Sequence, residues 1–201
     1  MFRSLSLLLA LVLVSEVAYS SSLPAVSDGD IIFQASKSTQ SHAIQRATHS
    51  RYSHMGIVFV RDGKPFVLEA SATVRYTPLE KWIARGQRSQ YVVKRLRGGI
   101  TTEQVLKLRH AARAFLGRPY DLTFEWSDAR IYCSELVWKI YQNGLGVKIG
   151  ELQRLRDFDL SDGAVRAKMM ERYGAAIPMD ELVISPAAMF DAKKLVVIAS
   201  D

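Results

Sequence analysis

Short apolar runs separated by turn residues occupy the first half of the chain. Ile31-Ile32-Phe33 follows a turn at Asp28-Gly29-Asp30 and reads as a short buried strand. Met55 to Val60 and Phe66 to Ala70 are two more such runs, joined by Arg61-Asp62-Gly63-Lys64. The Asp-Gly pair at their junction is a hairpin turn signature. Tyr91-Val92-Val93 predicts another strand, broken at Gly98-Gly99, and Leu195 to Ile198 a last one. Residues 36 to 49 are polar and small, and read as a short helix or a loop. Pro78 to Ala84 carries proline where a first helical turn tolerates it.

Helical spacing governs the second half. Thr101 to Leu116 is the clearest case: Thr101 and Gln104 fit a capping box, and Gly117 stops the run. Val105, Leu108, Ala112, Phe115 and Leu116 fall on one face. Another helix starts near Cys133, buries Leu136, Val137, Ile140 and Tyr141, and ends at Asn143-Gly144. Residues 163 to 173 suggest a third. Hairpins followed by separate helices indicate an α+β fold rather than a doubly wound sheet.

Composition narrows the picture. The chain has 201 residues with 48% apolar content, enough for one domain with a real core and short of two. Residues 1–20 read as an export signal, with Arg3 ahead of the apolar run Leu5 to Val14 and Ala18-Tyr19-Ser20 as a cleavage site. That leaves residues 21–201 as a single exported domain, periplasmic or secreted, with no cysteine near the cleavage site for a lipid anchor. The formal charge of +7 suits contact with an anionic wall or membrane surface as well as it suits a solvated basic face. No nucleic-acid module stands out.

One cysteine in an exported chain cannot form an internal disulfide, so Cys133 is either an inert buried thiol or a chemical one. Its place at a helix start favours chemistry. Unpaired N–H groups and the positive end of the helix dipole stabilise a thiolate there. The same N–H groups can hold an oxyanion. A base is needed beside it, and there are four histidines. His110 lies mid-helix, while His42 and His49 have no strand or helix end to fix them. His54 opens a strand, in Ser53-His54-Met55-Gly56-Ile57, where Gly56 lets another backbone approach. Glu69 interrupts the apolar run on the paired strand, roughly opposite His54 or a neighbour, and a buried carboxylate needs a partner. His42, His49 and His54 match no compact zinc spacing, and no metal or other cofactor is expected.

Taken together, these segments resemble a known family. Tyr132-Cys133-Ser134-Glu135-Leu136-Val137 is similar to the cysteine helix of NlpC-type cell-wall peptidases, and Ser53 to Ile57 to their histidine strand. The order His54, Glu69, Cys133 is reversed from those enzymes and resembles the circularly permuted, papain-like amidases of the YiiX/YaeF type. Gly29 to Phe33, Pro78-Leu79, Gly117-Arg118-Pro119-Tyr120-Asp121 and Ser185-Pro186 with Phe190 fit the same family in order. The resemblance implies a small antiparallel sheet or half-barrel against the cysteine helix. It also implies a Cys133–His54–Glu69 triad, with Tyr120 near the scissile carbonyl; Ser134, beside the nucleophile, is a further candidate substrate-binding or oxyanion group.

The activity so implied is thiol-dependent hydrolysis of an amide, in a cell-wall peptide or a small molecule. Two alternatives stand beside it. One is acyl transfer of the lecithin:retinol acyltransferase type, whose usual Asn-Cys-Glu-His-Phe motif differs from Tyr132-Cys133-Ser134-Glu135-Leu136. The other is a non-catalytic module binding cell-wall peptides. Specificity is expected from Lys37 to Thr48, Thr73 to Tyr76 and Leu122 to Arg130.

Overall fold

The computed structural model describes residues 23–201. The export-signal expectation for residues 1–20 lies outside the described residues. Among those described, no helix is long and apolar enough to cross a membrane.

The architecture is α+β. Its main sheet contains β1 (Ile31–Gln34), β2 (His54–Arg61), β3 (Lys64–Ala70), β4 (Val74–Pro78), β5 (Val92–Leu96) and β8 (Leu195–Ser200). They lie in the order β4-β3-β2-β1-β5-β8, every neighbouring pair antiparallel. A separate two-stranded sheet pairs β6 (Gln153–Arg154) with β7 (Leu182–Val183). The helices are α1 (Thr39–Thr48), α2 (Leu79–Arg85), α3 (Thr102–Arg113), α4 (Cys133–Leu145), α5 (Gly163–Tyr173) and α6 (Pro186–Phe190).

The hairpin between β2 and β3 turns on Asp62 and Gly63, both at positive φ (49° and 73°). Two positive φ values give the two-residue turn whose twist matches the strands. Period-two alternation then sends side chains to two cores. Phe33, Met55, Ile57, Phe59 and Leu68 pack with Leu136, Val137, Ile140 and Tyr141 of α4, and with Leu108 and Ala112 of α3. Ile32, Val58, Val67 and Val93 pack on the opposite face with Leu79, Trp82 and Ile83 of α2. Each such side chain, fully buried, contributes roughly 1.5–3 kcal/mol.

Several expectations change. Residues 39–48 are a helix, ended by His49 at φ 51° with its imidazole 3.1 Å from Asp159. His49 is therefore fixed at a helix end, on an exposed surface. The capping box at Thr101 and Gln104 is present, but α3 stops at Arg113. The chain then leaves the helical path, so Leu116 drops off the buried face and is 43% exposed. Pro78 ends β4 and precedes α2 rather than standing inside its first turn.

Candidate active site

Cys133 is the first residue of α4, preceded by Tyr132 in extended conformation. The first intrahelical bond runs from the Leu136 N–H to the Tyr132 carbonyl, 2.9 Å. The N–H groups of Cys133, Ser134 and Glu135 thus precede the ladder, at the positive end of the helix dipole. Cys133 is 3% exposed, and its exposed fraction faces a cleft rather than a closed interior.

His54 opens β2, where pairing of Gln34 with His54 holds its backbone. Its Nε2 lies 2.7 Å from Glu69 Oε2. Cys133 lies near enough for its charge to bear on the same ring, and with Nε2 on Glu69 the other ring nitrogen, Nδ1, is the one left for a sulfur. The register explains the reach to Glu69. Ile57 pairs with Leu68 and Val58 with Val67, so Glu69 stands across from Gly56 with His54 on the diagonal. A Cβ at Gly56 would sit 2.7 Å from the Leu68 carbonyl oxygen, so this approach requires glycine. On its other side the imidazole stacks against Trp82 of α2, with ring centroids 5.7 Å apart.

Glu69 is fully buried. Thr77 Oγ1 of β4 donates to its Oε1 at 2.6 Å, and Arg85 of α2 donates to the same oxygen. Oε2 is thereby left to His54. Burial raises the carboxyl's pKa, but bonding to His54, its charge, Thr77 and Arg85 overcome that and hold it at about 2. For His54, burial favours the neutral ring. Cys133 and Glu69 outweigh it and raise the imidazole to about 9. The ring is a cation at neutral pH, held between an acid and a sulfur.

Tyr120 borders the same cleft, and its hydroxyl accepts from Gln40 Nε2 of α1 at 2.8 Å. Arg172 of α5 holds the Gln40 Oε1, also at 2.8 Å. Burial, then the nearby Cys133 charge, push the phenol upward, so it stays a neutral donor whose proton is free to point into the cleft. Ser134 follows the cysteine in the first turn of α4. Its hydroxyl donates to the Ile184 carbonyl at 2.8 Å, which ties α4 to the chain beside β7. Only its backbone N–H is left to face a bound carbonyl. Tyr132, whose role the sequence left open, accepts the Ile184 N–H at 3.1 Å.

Two lobes meet at this site. One, lined by Cys133, holds about 80 Å³ and is walled mainly by apolar side chains, among them Ala43, Ile44, Phe124, Leu155, Val165 and Met169. The other, lined by His54, holds about 580 Å³ and is walled by serines and cations. The stretch from Lys37 to Thr48 lines both, as expected; Thr73 to Tyr76 lines neither, because it belongs to β4 and its approach. Sequence reasoning missed Thr77, Trp82 and Arg85 behind the histidine, Gln40 and Arg172 behind the tyrosine, and the α5 wall. Gln40 alone carried a signal, lying in the stretch marked for specificity.

The profile of the permuted papain-like amidase enzymes, YaeF/YiiX, C92 family, matches residues 25–199. The uncharacterized protein YiiX of Escherichia coli K12 is 55% identical over 173 residues, covering 86% of this chain and 86% of its own. A solved structure, that of the metalloprotein YiiX from Escherichia coli O157:H7, superposes with a TM-score of 0.85 at 55% identity. It covers 87% of this chain and 97% of the solved one.

Proposed function

The chain belongs to the permuted papain-like amidase family, and from that premise we propose that it hydrolyses amides with Cys133 as nucleophile, His54 as acid and base, and Glu69 as orienting carboxylate. The observation that carries this reading is the His54–Glu69 pair at 2.7 Å, with the ring raised to about 9 by Glu69 and the nearby Cys133 at the start of α4.

In this reading the proton rests on His54 and the sulfur attacks as thiolate. Attack on the carbonyl carbon forms a tetrahedral oxyanion, held by backbone N–H groups at the start of α4 and by the Tyr120 hydroxyl. His54 then passes its proton to the nitrogen, the C–N bond breaks, and the amine departs. Water, deprotonated by His54, attacks the thioester and releases the acid. Glu69 holds the ring in one tautomer and stabilises its charge throughout. The proposed substrates are peptides or other amides, met outside the cytoplasm if residues 1–20 act as an export signal.

The solved relative is described as a metalloprotein. Among the described residues of this chain, no group of three or more His, Cys, Asp or Glu side chains is placed to hold a metal ion. Glu69 lies across the imidazole from the sulfur, with Thr77, Arg85 and His54 on its oxygens. The donor set does not fit a metal, and no step runs through one.

A second reading, acyl transfer to or from lipid, draws support from the apolar lining of the lobe at Cys133, whose volume of about 80 Å³ takes only the carbonyl end of a chain. One experiment separates the readings. Wild type is incubated with an N-acyl amide in water, then with labelled phospholipid, and Cys133 is alkylated with iodoacetamide at neutral pH. Amine release that disappears in Cys133→Ala, with labelling much faster than that of a free thiol, supports the hydrolase. Cys133-dependent transfer of phospholipid acyl chains without amide cleavage favours the transferase. Labelling no faster than a free thiol removes both.

A further inference from the structure

Gln40, Ile44 and Tyr120 line both lobes of the cleft, and the two reacting side chains divide between them. Cys133 lines the apolar lobe alone; His54 lines the polar lobe alone. An amide has the same asymmetry. Its carbonyl carbon must meet the sulfur, and its nitrogen must meet the ring that protonates it. The acyl part therefore extends along the Cys133 lobe, and the departing amine carries its substituent into the His54 lobe.

The character of that second lobe is specific. Its charged walls are the cations Lys37 and Arg85 beside His54, and no carboxylate lines it among the described residues. Glu69, the nearby acid, lies behind the ring and is fully buried. Lys37 is exposed, and Arg85 is 42% exposed with one nitrogen on Glu69, so further guanidinium donors remain free to face a ligand.

Resting on the amide-hydrolase reading above, we infer that the His54 lobe is a leaving-group subsite for an amine bearing a carboxylate, so the substrates are N-acyl amino acids or peptides cleaved ahead of a free carboxyl terminus. Lys37 and Arg85 offset the carboxylate. The acyl side accepts a small apolar group: its volume of about 80 Å³ is below that of cavities that hold a benzene ring. Hydrolysis breaks the C–N bond, gives the hydroxyl of water to the acyl carbon and its proton to the amine, and requires no further reactant. A cationic leaving group would meet two like charges and bind poorly.

The test compares two ligands that differ by one charge, N-butanoylglycine and N-butanoylglycinamide, bound to Cys133→Ala so that affinity is read without turnover. The glycine compound should bind about tenfold more tightly, roughly 1.4 kcal/mol, with the ratio shrinking as salt rises. Adding Lys37→Glu should bring the ratio to one or below, with Lys37→Gln between. Equal affinities, or a ratio that survives Lys37→Glu, would overturn the assignment. Wild type incubated with N-butanoylglycine keeps the two claims apart. Charge-selective binding without glycine release removes the hydrolase and leaves the subsite. Glycine release without charge selectivity does the reverse.

Discussion

Two glutamates, Glu69 on β3 and Glu135 in the first turn of α4, are both fully buried. Glu69 accepts from His54, Thr77 and Arg85 and is held at about 2. Glu135, in the first turn of α4, accepts the Tyr132 N–H at 3.3 Å. Lys139 Nζ lies 2.8 Å from its Oε1, yet that oxygen has no aligned hydrogen bond. Burial, helped by Asp121, pushes Glu135 up to about 7 against the pull of Lys139 and the Tyr132 N–H. Equal burial with unequal donors gives opposite outcomes. The carboxylate behind the histidine is held in its charged form; the one in the first turn of the cysteine helix is raised to about 7.

The two also act on stability with opposite sign. Glu69 falls below its ordinary value of 4.5, so its contribution is full above that value and is lost as pH drops toward about 2. Glu135 rises above 4.5, so its ionisation costs stability progressively between 4.5 and about 7. His54 rises above 6.5, so its contribution is full below that value and disappears as pH climbs through about 9.

Substitutions separate the pair. Glu69→Gln should lower kcat by about 10²- to 10⁴-fold, the range seen when a triad loses its orienting acid. Glu135→Gln should keep activity within about tenfold and flatten the decline in stability between about pH 5 and 7, read by urea unfolding. An equal activity loss in both would erase the distinction. Lys139→Met removes the cation that faces Glu135, Asp128 and the Ser127 carbonyl. It should cost about 3 kcal/mol near pH 8 and clearly less near pH 5, where Glu135 is already neutral. Arg85→Gln is expected to be milder, because Thr77 still holds Glu69 and Arg85 is partly exposed. A severalfold drop in kcat and an alkaline activity limb moved upward should follow, since a positive charge near the imidazolium is gone.

Much of this was legible along the chain, for local reasons. The Asp62-Gly63 turn sets its own backbone, the Thr101–Gln104 box closes within one helical turn, and a glutamate inside Phe66 to Ala70 demands a partner wherever it folds. What stayed hidden depends on tertiary placement. β4 carries the exposed Arg75 and ends in Pro78, so Val74 to Pro78 gives no strand signal by itself. Thr77 and Arg85 reach Glu69 only because β4 pairs beside β3 and α2 packs on the sheet face that carries Glu69. The apolar lobe takes walls from α1, α4, α5 and the β7 approach, none of which announces the others. Leu116 shows the converse error: helical spacing placed it inside, but the helix ends before reaching it.

The most direct measurement is an NMR titration of the His54 ring, assigned against His54→Gln, in wild type and in Cys133→Ala. In wild type the imidazole should stay protonated through neutral pH and titrate at about 9. Without the sulfur it should lose two of its supports and titrate distinctly lower. A ring that titrates near 6.5 in wild type, or that does not respond to removal of Cys133, would mean that sulfur and imidazole do not share a proton.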